Sequence, residues 1–180
     1  MQRSDAQRNY ARILAVAEQE VAARGADVSF EQIARAAGVG SATVRRHFPS
    51  RRTLLDAVFR ERVEALEARA RELATADDAR TALLDWLATL TEHATSARGI
   101  GIVLMRDEAN ADQDYACARV TTAGEPLLRR AIDAGVATDE VTSADLLTLI
   151  TGIVLATEHH QDPAAEMDRL LTLTVRGICA

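Results

Sequence analysis

Lysine is absent from this chain: the 21 basic residues are all arginine. Arginine's planar fork suits bidentate contacts to phosphate and to guanine edges, where lysine acts as a point charge. An absence that runs through the whole chain is a trait of composition and identifies no site by itself. Aromatic residues make up only 3% of the sequence, and there are three prolines. This argues against a sheet protein, because strands draw on aromatic and β-branched residues between turn clusters. The two cysteines, Cys117 and Cys179, lie far apart with no CxxC or Cys/His spacing. No disulfide framework and no metal site are therefore expected, and a reducing compartment fits. The longest mostly apolar run, Leu146–Ala156, falls well short of the about 20 residues a membrane helix needs. No apolar segment opens the chain, so no secretion signal, no membrane partner and a cytoplasmic location are expected. Enzymatic signatures are missing as well. There is no Glu-x-x-His, no Gly-rich phosphate loop and no Ser or Cys with a recognisable partner, so neither an enzyme nor a cofactor is expected. His159 and His160, near Glu158 and Asp162, diverge by about 100° on a helix and read as a helix end, not as ligands.

What is present is an uneven charge. Residues 1–52 hold nine Arg against five acids, a net of +4, while the remainder holds twelve Arg against twenty-two acids, a net of −10. The overall charge of −6 would speak against nucleic acid, but a basic head on an acidic body fits a protein whose head alone meets phosphate.

Periodicity and capping residues predict an all-α chain of about nine helices. Residues 1–8 read as a polar arm, and a first helix over 8–24 carries Ile13, Leu14, Ala17 and Val21 on one face, with Gly25 as its C-terminal cap. Ser29 and Gln32 form a capping-box pair for a helix ending at Ala36, Gly38 supplies a turn, and a third helix runs over 41–47. Ser50 caps a long helix to Leu73. Helices are then expected over 78–96, 100–108 and 112–134, the last kinked or broken by Gly124 and Pro126. Thr142 with Asp145, and Asp162 with Pro163, open the final two. The expected domains are 1–50 and 51–180, with the helix 51–73 linking them.

The stretch Ser29–Leu55 carries the sharpest signal. Two short helices flank a Gly-containing turn, and the second bears Thr43, Arg45 and Arg46 with Gly40 and Ser41 at its start. Short polar groups and guanidinium forks near a helix N-terminus are what entry into a DNA major groove requires. Ser29 and Arg51, at the starts of neighbouring helices, are placed for phosphates. The spacing leaves open whether Arg45 or Arg46 meets a base.

The string Ala42-Thr-Val-Arg-Arg-His-Phe-Pro-Ser-Arg-Arg-Thr-Leu-Leu55, following Ile33-Ala-Arg-Ala-Ala-Gly-Val39, resembles the DNA-binding domain of the TetR/AcrR family of bacterial repressors. His47, Phe48, Ser50 and Leu54 match the family pattern, whereas Arg45 replaces a common Tyr and Arg51 a common Lys. The resemblance implies a helix-turn-helix head, a phosphate contact from His47, and a C-terminal helical domain for ligand binding and dimerisation. It also implies a homodimer on a palindromic double-stranded DNA operator, released by a small-molecule effector of unknown identity. Candidate pocket residues are Trp86, Leu90, His93, Met105, Tyr115 and Arg119. Two helices with wide apolar faces need a second cover, which nominates Leu146, Leu149, Ile150, Ile153, Leu170, Leu173 and Thr174 for the dimer interface. The alternative is a helical protein–protein adaptor with a non-specific head.

Overall fold

The computed structural model describes residues 2–25, 27–96 and 111–179. Among them are eight α-helices and no strand: α1 Gln2–Arg24, α2 Phe30–Ala36, α3 Ser41–His47, α4 Arg51–Leu73, α5 Ala79–Ser96, α6 Ala111–Asp133, α7 Ser143–Thr157 and α8 Pro163–Ile178. The all-α expectation holds. The short helix expected over 100–108 lies outside the described residues. The chain divides inside α4: residues up to Arg62 belong to one compact unit, and Val63–Thr95 with Asp112 onward belong to the other.

In the first unit, α2 packs on α1 and α3 around one apolar cluster. Ile13, Ala17, Val21, Ile33, Val44, Leu54, Leu55 and Val58 are fully buried there, with Phe48 only 2% exposed. The i, i+4, i+8 spacing of Ile13, Ala17 and Val21 aligns them on one side of α1. That helix begins at Gln2 and not near residue 8. The polar first turns contain no Gly or Pro, and Asp5 pairs with Arg8 one turn on, so nothing in them stops the helix. Gly38, at φ +62°, makes the turn between α2 and α3. The Val39 N–H reaches back to the Ala34 carbonyl at 3.0 Å, a six-residue closure whose left-handed step glycine takes without a Cβ penalty.

Caps set most of the boundaries. Thr142 and Asp145 form the full reciprocal box, and Asp162 accepts from the Ala165 N–H with Pro163 in the first turn. Ser50 and Thr53 exchange side-chain and backbone contacts at the start of α4. The box expected at α2 is only half made. Ser29 accepts from the Gln32 N–H, but the Gln32 amide oxygen accepts from Arg24 at 2.5 Å, so the charged donor takes the group that would have closed the box.

The second unit corrects one expectation. α6 runs through Gly124 and Pro126 as one helix, so the alternative of a break there does not hold. Gly124 is a point of close packing: a Cβ there would stand 2.6 Å from Nε1 of Trp86, which is 2% exposed. Its partner is the indole of α5, and the missing side chain is what admits it.

The end of α4 is held by a residue from α6. Arg130 donates to the carbonyls of Ala74 (2.7 Å), Ala76 (2.6 Å) and Leu73 (3.4 Å). The last carbonyls of a helix have no intrahelical donors, and a guanidinium supplies them with charge-assisted hydrogen bonds. Arg130→Met, which keeps much of the stem but none of the donors, is expected to cost about 1.5–3 kcal/mol in urea unfolding.

Candidate nucleic-acid interface

The candidate recognition surface is built on α3. At about 100° per residue, Ala42 and Arg46 stand opposite the buried Val44, with Arg45 on one flank and Thr43 on the other. Exposure agrees: Ala42, Arg45 and Arg46 are exposed, Thr43 and His47 half-buried, and Val44 fully buried. Gly40 is the N-cap, with extended φ and ψ and no side chain over the helix start. Ser41, exposed, opens the first turn. The Thr43 N–H closes that turn on the Gly40 carbonyl at 2.8 Å.

The seven DNA-contact candidates fall into two groups. Arg46 is exposed, and among the described residues no ion pair or hydrogen bond engages it. Arg45 and Arg51 are both engaged. The Arg45 Nη2 donates to Oε1 of Glu31 at 3.1 Å, and its guanidinium lies over the Phe30 ring, 5.4 Å from the centroid. Arg51 Nη1 donates to Asp27 at 2.8 Å. Ser29, besides capping α2, donates its hydroxyl to Oε2 of Glu31 at 3.0 Å. The Glu31 carboxylate is held below its usual range, first by a backbone N–H, then by Ser29 and Arg45.

His47 and Phe48 form a clasp with Tyr10 of α1. The Tyr10 ring stacks on Phe48 at 5.1 Å and meets the His47 ring edge-on at 5.9 Å. His47 Nε2 is buried and has no hydrogen-bond partner among the described residues. Tyr10, Asp27 and Glu31 were not singled out from the sequence, and Phe30 was expected only as an inward residue of α2, which its 8% exposure matches. The two acids entered it only as charges, although each lies within two residues of the α2 cap, where side chains meet the surface next to α3.

Two concavities of the second unit are lined by described residues. The larger, about 590 Å³, lies between α5, α7 and α8, with Leu87, Thr91, Leu146, Ile150, Met167 and Val175 among its lining. Trp86 and Leu90 are buried core, at 2% and 4% exposed; the helix instead turns Leu87 and Thr91, one position further on, into the groove. His93 is half-buried beside it in sequence, with Nδ1 2.9 Å from the Thr89 carbonyl. The smaller, about 440 Å³, runs along α4 and α6 past Glu67, Arg71 and Arg119. Met105 and the side chain of Tyr115 lie outside the described residues.

Arg119 is bound to Glu67 through two hydrogen bonds of 2.7 Å each. The Arg119 hydrogen bonds hold the Glu67 carboxyl below its ordinary 4.5. A depressed folded-state pKa contributes stability above the unfolded value and loses it as pH falls through the folded one. The melting temperature of the second unit is therefore expected to fall below about pH 4.5, and less steeply in Glu67→Gln. Thermal unfolding followed by circular dichroism from pH 6 to pH 3 measures it.

Among the apolar interface candidates, Leu146 and Ile150 turn inward and are each 2% exposed within one chain. They are thereby withdrawn from any outer face. α7 is apolar nearly all round, but its sides differ. Leu146, Ile150, Val154 and Thr157 are buried, while Leu149, Gly152 and Ala156 are exposed and Ile153 half-buried. On α8, Leu173 is 52% exposed and Leu170 and Thr174 are half-buried. Among the described residues no cluster of His, Cys, Asp and Glu could hold a metal ion, and no helix is long and apolar enough to cross a membrane.

Comparison with known proteins agrees with this geometry. Residues 13–58 match the family of bacterial regulatory proteins of the tetR type, and residues 78–180 match the C-terminal domain of SbtR-like transcriptional regulators. No curated protein sequence matches the chain. Among solved structures, a TetR transcriptional regulator from Streptomyces coelicolor is 30% identical, with a TM-score of 0.77 over 94% of this chain and 98% of that one. A TetR regulatory protein from Mycobacterium vanbaalenii is 29% identical, with a TM-score of 0.75 over the whole of both chains. A regulator from Saccharomonospora viridis solved with choline shares the fold at 23% identity and a TM-score of 0.70, over 95% of this chain and 97% of that one. With the C-terminal match alone spanning more than half of the sequence, and an N-terminal head that carries the reading helix, the chain belongs to the TetR family of DNA-binding transcriptional regulators.

Proposed function

We propose that the protein is a repressor that binds a palindromic operator as a homodimer and leaves it when a small molecule binds the C-terminal domain. The observation that carries the DNA side is the outward face of α3, where Arg46 stands opposite the buried Val44 and is flanked by Arg45 and Thr43. Ser29, Ser41, His47 and Arg51 complete the contact set, as phosphate partners around that helix. Two such heads about 34–36 Å apart would meet successive major grooves.

The dimer reading draws on two partly exposed stripes. Leu149, Gly152, Ile153 and Ala156 follow one another at i, i+3, i+4, i+7 on α7, and Leu170, Leu173, Thr174 and Gly177 do so on α8. A Cβ at Gly152 or Gly177 would meet nothing within 4 Å, so each stripe has room for another helix at short range. The groove between α5, α7 and α8, apolar on its floor, suits a mostly apolar effector. The domains are a reading head over 1–50 and a ligand and dimer domain over 51–180, with α4 shared. A cytoplasmic location follows from this role.

Gel-shift titration and DNA protection across the DNA upstream of the protein's own gene test the reading, at several salt concentrations. Protection of a two-fold site, with affinity falling as salt rises, is the expected result. Binding that ignores sequence, with the dimer retained in sedimentation, would favour the adaptor instead.

A further inference from the structure

Arg45 occupies the flank of the reading helix with its charge already answered. Glu31 accepts one of its N–H groups, Ser29 fixes the other oxygen of Glu31, and the guanidinium carbon stands over the Phe30 ring, 5.4 Å from its centroid. The Arg45 and Glu31 side chains are 60% and 62% exposed. Exposed pairs contribute little to folding, so the pair's main effect falls on what Arg45 can bind. A guanidinium has five N–H groups in a fixed fork, and one contact to Glu31 leaves the others able to address an acceptor pair.

We propose that Glu31 is a positioning residue that commits Arg45 to a guanine edge and away from the phosphate chain. The proposal rests on the operator-binding reading above. A phosphate asks mainly for net charge, and the neighbouring carboxylate offsets part of what Arg45 offers, since moving to a phosphate means giving up the Glu31 contact. A guanine asks for two parallel donors in a defined plane facing O6 and N7, and the Glu31–Phe30 mounting supplies that plane. The two adjacent arginines of α3 then divide the work. Arg46, which makes no ion pair among the described residues, supplies charge and salt dependence; Arg45 supplies base preference. An Arg mounted between a carboxylate and a ring loses less side-chain freedom on meeting its base, which sharpens discrimination.

The test is selection of binding sites from a random duplex library, then titration of the selected duplex and its single-base variants at three salt concentrations. The wild-type chain is expected to require guanine at one position per half-site, with a preference of about 5–150-fold. Glu31→Gln is expected to reduce that preference to roughly two- to three-fold, while tightening binding to unrelated duplex. It should also steepen the salt slope by up to about 0.9 per head, because Arg45 then neutralises a phosphate. Arg45→Ala should lose the same preference with its salt slope nearly unchanged, and adding Glu31→Gln to it should change the preference no further. Glu31→Gln that folds as the wild type by circular dichroism and keeps its guanine preference overturns the proposal. A wild-type chain that selects no sequence overturns the operator reading, and this inference with it, before any variant is made.

Discussion

Trp86→Ala is expected to remove about 3–5 kcal/mol from the stability of the C-terminal unit, the largest single-residue loss in that unit. Trp86 is the only tryptophan and is 2% exposed, so its truncation forfeits the transfer energy of a large ring and leaves a cavity beside α6. A buried Trp accounts for about 150–250 Å² of surface, worth roughly 4–6 kcal/mol at 25 cal/mol per Å². The cavity should be specific in shape, because one of its walls is the bare backbone of Gly124. Gly124→Ala in the wild-type chain places a methyl 2.6 Å from the indole Nε1. The ring is boxed in and cannot swing aside as a flexible chain end could, so the overpacking cost of about 1–3 kcal/mol should exceed the gain of about 1 kcal/mol in helix propensity. In the Trp86→Ala background the sign reverses: the clash is gone, the methyl fills part of the hole, and Gly124→Ala should stabilise by about 1 kcal/mol. Urea unfolding followed by far-ultraviolet circular dichroism on the four chains gives the cycle. Simple additivity would mean that Gly124 and Trp86 do not share a packing site.

That pair also marks where the sequence stops being readable. The helices announce themselves locally, through Ser50 with Thr53, Thr142 with Asp145 and Asp162 with Pro163, since each cap lies within three residues of its partner. The reading head is equally local: Gly38, Val44 and Phe48 fix its turn and core over a short span. Gly124 looks like a breaker because the ring that requires a glycine there sits on another helix. Arg130 was one more surface charge until the end of α4 came into range of its fork. The α7 helix shows the limit from another side. Periodicity cannot say which side of an all-apolar helix faces its own chain, so Leu146 and Ile150 were indistinguishable from Leu149 until packing separated them. The same holds in the head. Arg45 and Arg46 are neighbours of one type, and only the arrival of Glu31 from α2 makes them different.

That difference sets the largest expected effect on DNA. Arg46→Ala is expected to weaken operator binding by about 10²–10⁴-fold, from roughly 1.5–3 kcal/mol for a charged hydrogen bond, counted in both heads of a dimer. The loss should be the same on the operator and on unrelated duplex, because phosphate carries no sequence, and the salt slope should drop by about 0.9 for each head. The variant should fold normally, since Arg46 lies opposite Val44 and buries nothing. Arg51→Ala offers the internal comparison. Its guanidinium already meets Asp27 at 2.8 Å, so breaking that pair is part of any phosphate contact, and the change in slope should be smaller than for Arg46. Titration by fluorescence anisotropy of both variants, on both duplexes and at three salt concentrations, separates the cases. A loss confined to one base position would assign Arg46 to direct reading and give the phosphate role to its neighbour.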